Sequence, residues 1–391
     1  MNLILTGLQV YAEQGILSNA SVSINKGSIQ AITTAAQMKA AAADETMHFP
    51  SDYHLVPGFI DLHVHGVKGH DVMDATPAAL GMMSKTLAEE GVTSFLATTM
   101  TAKASQIENA LVAVRDFMST QQEVRGAAIL GVHLEGPFIS PKKVGAQCVD
   151  HILSPTITML DRWQKAAKNV IKLVTLAPEL PHSAEFIRYL KQKNIVASLG
   201  HTDATYTETM AAINEGTNYA THLFNAMRGI HQREPGVVTA ALLSEEVVTE
   251  LIVDGVHLHP AIVQLILKLK TSEKIILVTD AMRAKCMGEG TYDLGGQAVS
   301  VKNGTATLPD GALAGSTLKM PTAIQNMSRF TQCSLFDAFK MASENPAKVL
   351  DVFDKKGSIA VGKEADLVVL DDKLNVVMTV CGGKVVYELL P

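Results

Sequence analysis

Apolar and polar positions along the chain divide it into two β-rich ends and a long alternating middle. In the first 55 residues, runs at Asn2 to Val10, Ile16 to Ile24 and Ser28 to Ile32 read as short strands. Asn25-Lys26-Gly27 reads as the turn before the last of them, because Gly and Asn accept positive φ. The C-terminal end has the same character: Ala365 to Leu370, Val376 to Val380 and Lys384 to Tyr387, with Gly382-Gly383 as a turn. The pattern predicts that the ends pair into one small all-β domain, residues 1–55 plus 355–391, around a larger unit over 56–354.

In that larger unit, apolar β-rich runs alternate with helical patterns. The runs are Phe59–Val64, Val92–Thr98, Ala128–Leu134, Ile171–Ala177, Ile195–Leu199, Tyr219–Leu223, Glu250–Val253 and Ile275–Thr279. Pro77–Glu90, Ala104–Met118, Ser183–Lys193 and Tyr206–Glu215 carry helical periodicity between them. Several runs are almost continuously apolar, as strands covered on both faces should be. Eight βα alternations predict an α/β fold, a closed (β/α)8 TIM-like barrel. The competing arrangement, an open doubly wound sheet, lacks the glycine-rich phosphate loop that would follow its first strand.

A barrel prediction makes the strand ends informative, since catalytic groups of such barrels sit at the C-terminal ends of the strands. The first run ends in His63-Val64-His65, and residues two apart on a strand share a face, so both imidazoles can reach one point. The third ends in His133-Leu134-Glu135-Gly136, the fifth in Gly200-His201-Thr202-Asp203, the sixth in His222-Leu223-Phe224-Asn225. Asp254 and His257 follow the seventh, and the eighth ends in Thr279-Asp280. One such residue would be ordinary packing. A buried cluster of four histidines and two carboxylates needs compensation, which a divalent metal provides. By ligand type, Glu135 can chelate one metal or bridge two. His201 and His222 complete an N,N,O set with room for water. His63 and His65 can hold a second metal against Glu135, and Asp280 is the candidate for proton transfer. Such ligands suit Zn, Fe, Mn and Co alike, at one or two ions per chain.

Composition narrows the partners. A formal charge of −6 over 391 residues gives no reason to expect nucleic acid or an anionic membrane. No run approaches the ~18 apolar residues of a membrane span. The four cysteines are scattered without a CxxC pair, and the N-terminal stretch lacks the basic and apolar regions of a signal peptide; both predict a cytoplasmic, thiol-reduced protein.

Taken together, PGFIDLHVHG, HLEGPF, GHTDA, THLFNAM, REPG, VDGVH and VTDAM resemble the N-acetylglucosamine-6-phosphate deacetylase family, part of the amidohydrolase superfamily of metal-dependent (β/α)8 hydrolases. The C-terminal Gly357 to Asp366 segment is similar to that superfamily's small β-sandwich. The resemblance implies that Glu135, His201 and His222 bind the catalytic metal and that Asp280 is the acid/base. It implies substrate contacts from Asn225, Ala226, Arg233, His257 and the Leu313-Ala314-Gly315 loop, with Arg233 and His257 on a 6-phosphate. In the family that arginine can reach a neighbouring subunit's site, which implies a homodimer. Some members lack the first-strand histidines and use one metal, and some carry a histidine where this chain has Gln147. Ala146 and Gln147 are kept as weak substrate contacts. The expected activity is release of acetate from N-acetylglucosamine 6-phosphate in amino-sugar catabolism. The alternatives are the galactosamine epimer, a cyclic amide, deamination, or a non-catalytic metal- or sugar-phosphate-binding role.

Overall fold

A computed structural model describes residues 2–34 and 44–389. The alternating middle forms eight parallel strands: Phe59–Val64, Val92–Thr98, Ala128–Glu135, Ile171–Leu176, Val196–Leu199, Tyr219–Ala220, Val248–Leu251 and Ile275–Leu277. Each pairs with the next in parallel register. The ring is completed by backbone hydrogen bonds, from the Asp280 N–H to His63 O at 2.8 Å and from the His65 N–H to Ala281 O at 2.9 Å. Every residue of the first two strands is buried, which accounts for their near-continuous apolar sequence.

Element bounds differ from the sequence reading where the site intrudes. The sixth strand stops at Ala220, two residues into the run expected to reach Leu223. His222, Phe224 and Ala226 take left-handed φ values of 29°, 79° and 49°, so the chain coils away from the sheet there. The seventh begins at Val248, which puts Glu250 inside the strand, opposite Ile276, and not at its start. The four expected helices are present to within two residues at each end, and Thr205 and Glu208 form a reciprocal capping box on Tyr206–Glu215. Helices Ile157–Ala166, Val237–Leu243 and Pro260–Leu269 add to the outer ring, as do three more after the eighth strand. A three-stranded antiparallel sheet, Gly290–Leu294, Gln297–Lys302 and Thr305–Thr307, follows the eighth strand and was not anticipated.

The two ends of the chain meet. His54–Pro57 pairs antiparallel with Leu367–Leu370 and runs parallel beside Asn2–Ala12. These strands belong to one eight-stranded sheet that also holds Gly15–Asn25, Ser28–Thr34, Glu45–His48, Val376–Cys381 and Lys384–Glu388. The sheet folds over on itself: a Cβ on Gly383, in the turn at one end, would lie 2.7 Å from Gly27 Cα in the turn at the other. Leu3, Leu5, Val22, Ile24, Leu367, Val369 and Met378 fill the space between, each burial contributing about 1.5–3 kcal/mol. Lys356 pins this sheet to the barrel, donating to Asp366 Oδ2 at 2.9 Å and to Ser94 Oγ on the second barrel strand at 3.2 Å.

Candidate metal centre and active site

The polar residues at the strand ends converge at the C-terminal mouth of the barrel. Glu135, on the last residue of the third strand, is the hub. Its Oε1 lies 3.2 Å from His201 Nε2 and 3.1 Å from His222 Nε2, and its Oε2 lies 3.1 Å from His65 Nε2. Asp280 Oδ1 stands 3.3 Å from His63 Nε2 and 3.2 Å from His65 Nε2. Three candidate ligand sets result among the described residues, with the ligand atoms of each within 4.8 Å of one another and all of them buried: Glu135-His201-His222 and His63-His65-Asp280 at the mouth, and His63-His133-Glu250 beneath them.

The backbone that presents these groups is held in uncommon conformations. His201, His222 and Asp280 have φ of 47°, 29° and 47°, a region costing a non-glycine residue about 1–3 kcal/mol. Hydrogen bonds offset that cost. The His222 N–H donates to Glu250 Oε2 at 3.1 Å, His201 O accepts from the Ser140 N–H at 2.8 Å, and Asp280 O accepts from the Ser316 N–H at 2.8 Å. Gly136, directly after Glu135, has φ 78°, and a Cβ there would meet Thr101 Oγ1 at 1.9 Å. Only glycine lets the chain turn away at that point.

The donor set fits a divalent cation. His201 Nδ1 faces the carbonyl of Lys143 at 2.9 Å and donates to it, which leaves Nε2 as the coordinating nitrogen. His63 Nδ1 faces Glu250 Oε2 at 3.0 Å in the same sense. Yet Nε2 of His63 lies 3.3 Å from Nε2 of His65, and those of His201 and His222 are 3.2 Å apart. At such distances each pair either shares an N–H···N hydrogen bond or, with both nitrogens unprotonated, presents two lone pairs to one cation. Without one, protons take its place. Burial would lower both first-strand histidines, but Asp280 and Glu135 outweigh it, raising His65 to about 9 and His63 well above its ordinary value. Burial likewise favours a neutral Asp280, and the charges of His63 and His65 override it, bringing the carboxyl down to about 2.

A cavity of about 320 Å³ opens onto these groups. His65, Glu135, His201, His222 and Asp280 form its floor, and Ala146, Gln147, Asn225, Ala226, His257, Leu313 and Gly315 stand in its wall. Ala314 is fully buried behind that wall. Arg233 is exposed on a loop and does not line the cavity. Gln147 has a second duty: its Nε2–H donates to Glu135 Oε2 at 2.8 Å while its Oε1 accepts from the Thr101 N–H at 2.7 Å, so it orients the hub carboxylate. His257 donates from Nδ1 to Asp254 Oδ2 at 2.7 Å.

Other strand-end residues stand apart. His133 lies one layer deeper, bonded to Thr175 Oγ1 at 2.7 Å, and burial above all holds it neutral. Asp203 turns outward to Arg228, the two oxygens accepting from Nε at 3.2 Å and Nη2 at 2.9 Å.

Residues 54–386 match the profile of the amidohydrolase family. The chain belongs to that family. It is similar to the N-acetylglucosamine-6-phosphate deacetylase of Bacillus subtilis (strain 168), 44% identical over 387 residues that cover 99% of this chain and 97% of that one. It is 38% identical over 376 residues to the N-acetylgalactosamine-6-phosphate deacetylase of Escherichia coli O157:H7, covering 96% and 97%. The crystal structure of N-acetylglucosamine-6-phosphate deacetylase from Pasteurella multocida superposes with a TM-score of 0.93 at 30% identity, over 98% of this chain and 99% of that one. Amidohydrolase membership and the two ligand sets at the mouth together point to a divalent metal.

Sequence reasoning passed over several members of this amidohydrolase site. Met100, Leu294 and Ala312 line the cavity as apolar wall, and nothing in their local sequence marks them, whereas Phe224, also in the wall, lies within the THLFNAM motif. Leu294 belongs to the unanticipated three-stranded sheet, whose Gln297 donates to Ala146 O at 2.6 Å and closes that side. Asp61 was legible: it precedes His63 and His65 by steps of two on the same strand face. Fully buried, it accepts from the His63 N–H at 3.2 Å and from Thr279 Oγ1–H at 2.6 Å, and burial pushes its carboxyl up to about 6.

Proposed function

We propose that this chain hydrolyses the acetamide of N-acetylglucosamine 6-phosphate to glucosamine 6-phosphate and acetate. The observation that carries the reading is the convergence of two ligand sets, Asp280 among them, on one cavity, in a chain similar over nearly its full length to deacetylases of this substrate class. Glu135, His201 and His222 would hold the catalytic metal, and His63 and His65, sharing Glu135, a second. A divalent cation there supplies Lewis acidity toward the amide carbonyl and makes water acidic enough to attack near neutral pH.

The chain's own residues do the rest. Asp280 stands beside the ligands, placed to take a proton from the attacking water and return it to the departing amine nitrogen. Gln147 and Thr101 fix Glu135, and the wall from Asn225 to Ala226 and from Leu313 to Gly315 bounds the sugar. His257 is the candidate within this chain for contact with the 6-phosphate. Arg233, away from the cavity of its own chain, serves the phosphate of a second copy in a homodimer, where its guanidinium can form paired hydrogen bonds. The test is release of acetate from the purified protein given N-acetylglucosamine 6-phosphate, with metal analysis of the same sample. No turnover from fully metallated protein would overturn the reading.

A further inference from the structure

Of the buried carboxylates that the mechanism leaves unused, Asp61 and Glu250 among them, Glu250 touches both ligand sets at the mouth. Glu250 sits in the middle of the seventh strand, with none of its side chain exposed. A fully buried glutamate on an apolar strand is costly unless its charge is compensated. Its partners are specific. Oε2 accepts from His63 Nδ1 at 3.0 Å and from the backbone N–H of His222 at 3.1 Å. The first contact reaches the first-strand ligand set, the second reaches a ligand of the other set through the very residue whose φ of 29° is least comfortable. Its backbone O also accepts from the Leu223 N–H at 3.0 Å, continuing the clamp on the turn after His222. The strand register makes this possible: pairing of Glu250 with Ile276 points it into the barrel between the sixth-strand turn and the first strand.

We infer that Glu250 is the positioning residue for both ligand sets, fixing His63 as the Nδ1–H tautomer with Nε2 toward the metal and holding the His222 turn. This rests on the reading of the site as a metal centre. A neutral histidine carries one N–H, and a carboxylate beside Nδ1 decides which nitrogen has it. With that carboxylate gone, His63 is free to protonate Nε2 and turn its donor toward the site, where it repels a cation. Glu250→Gln keeps the shape and one acceptor oxygen for the His63 and His222 N–H groups but removes the charge that holds the proton on His63 Nδ1. Loss of such an outer partner weakens metal binding by about 10–100-fold.

The experiment titrates Zn²⁺ into metal-stripped protein against a competing chelator, for the unmodified chain, Glu250→Gln, His63→Ala and the double variant, with thermal melting of each. The expected result is that Glu250→Gln weakens the His63-dependent Zn²⁺ step at least tenfold while the metal-free protein melts within a few degrees of the parent. In the His63→Ala background, Glu250→Gln leaves the remaining site's affinity reduced only by what the His222 contact contributes, so the two substitutions are strongly non-additive. Equal Zn²⁺ affinity in the parent and Glu250→Gln, or strictly additive losses, overturns the inference. Should Glu250→Gln not fold, Glu250→Asp supplies the test: it keeps the charge but is one methylene too short to span both partners, and unchanged Zn²⁺ binding in it also overturns the inference. Failure of the underlying reading looks different, since the unmodified chain would then bind no Zn²⁺ at either step.

Discussion

Replacing Asp280 by Asn removes one negative charge and one basic oxygen without changing the shape of the side chain. In the structure Oδ1 stands 3.2–3.3 Å from His65 and His63, and the side chain keeps 11% of its surface open to the cavity. A positioned general base contributes about 10²–10⁴-fold, which at about 1.36 kcal/mol per factor of ten is roughly 3–5 kcal/mol of barrier. Because Asp280 acts on protons in flight and not on the bound sugar, kcat and kcat/KM should fall together with KM nearly constant. The same substitution has a second signature in metal-stripped protein. With its carboxyl brought from 3.8 to about 2 by His63 and His65, Asp280 contributes on the order of 2 kcal/mol of stability. A depressed carboxyl gives that stability in full above about pH 4 and loses it as pH falls toward 2. The Asn variant should therefore be less stable than the parent at pH 7 and converge with it near pH 2. Continuous acetate detection gives the first result and chemical denaturation at several pH values the second. A kcat within tenfold of the parent, with metal content intact, would refute Asp280 as the base.

Changing His63 and His65 together to Ala should reduce bound metal from two ions per chain to one by elemental analysis; one ion in the unmodified protein contradicts a second site. Gln147→Ala removes the donor to Glu135 Oε2 and strands the Thr101 N–H, a loss of about 1–3 kcal/mol for each buried group left unpaired. It should appear as weaker metal retention on dialysis more than as a change in KM. In metal-stripped protein, His65 raised to about 9 stabilises the fold fully below pH 6.5 and ceases to do so as pH rises through 9. Melting temperature should therefore drop across that interval in stripped protein and stay flat in metallated protein, where the cation has displaced the proton.

What the sequence disclosed was whatever repeats with a fixed period. His63 and His65 share a strand face, Glu135 ends a strand, and Asp280 ends the last one, so their meeting follows from barrel closure alone. A partner inside a strand, as opposed to at its end, did not show. Glu250 reaches His63 across 187 residues, and only the pairing register of the seventh strand aims it there. Strand parity does not settle depth: His133 and Glu135 point the same way, yet His133 sits a layer beneath the cavity, bonded to Thr175. The three-stranded sheet after the eighth strand escaped because its strands are short and their turns, Gly295-Gly296 and Asn303-Gly304, fall in a stretch without helical or barrel periodicity. The capping pattern of Tyr206–Glu215, by contrast, was fully local and fully legible.

Everything turns on whether the cavity above Glu135, His201, His222 and Asp280 cleaves an acetamide. The direct measurement is acetate release by the metallated protein on N-acetylglucosamine 6-phosphate and, in parallel, N-acetylgalactosamine 6-phosphate, before and after chelation. Turnover of the gluco epimer, abolished by the chelator and restored by added divalent metal, is the required outcome. Equal turnover before and after complete metal removal, or activity confined to the galacto epimer or to a cyclic amide, would contradict it.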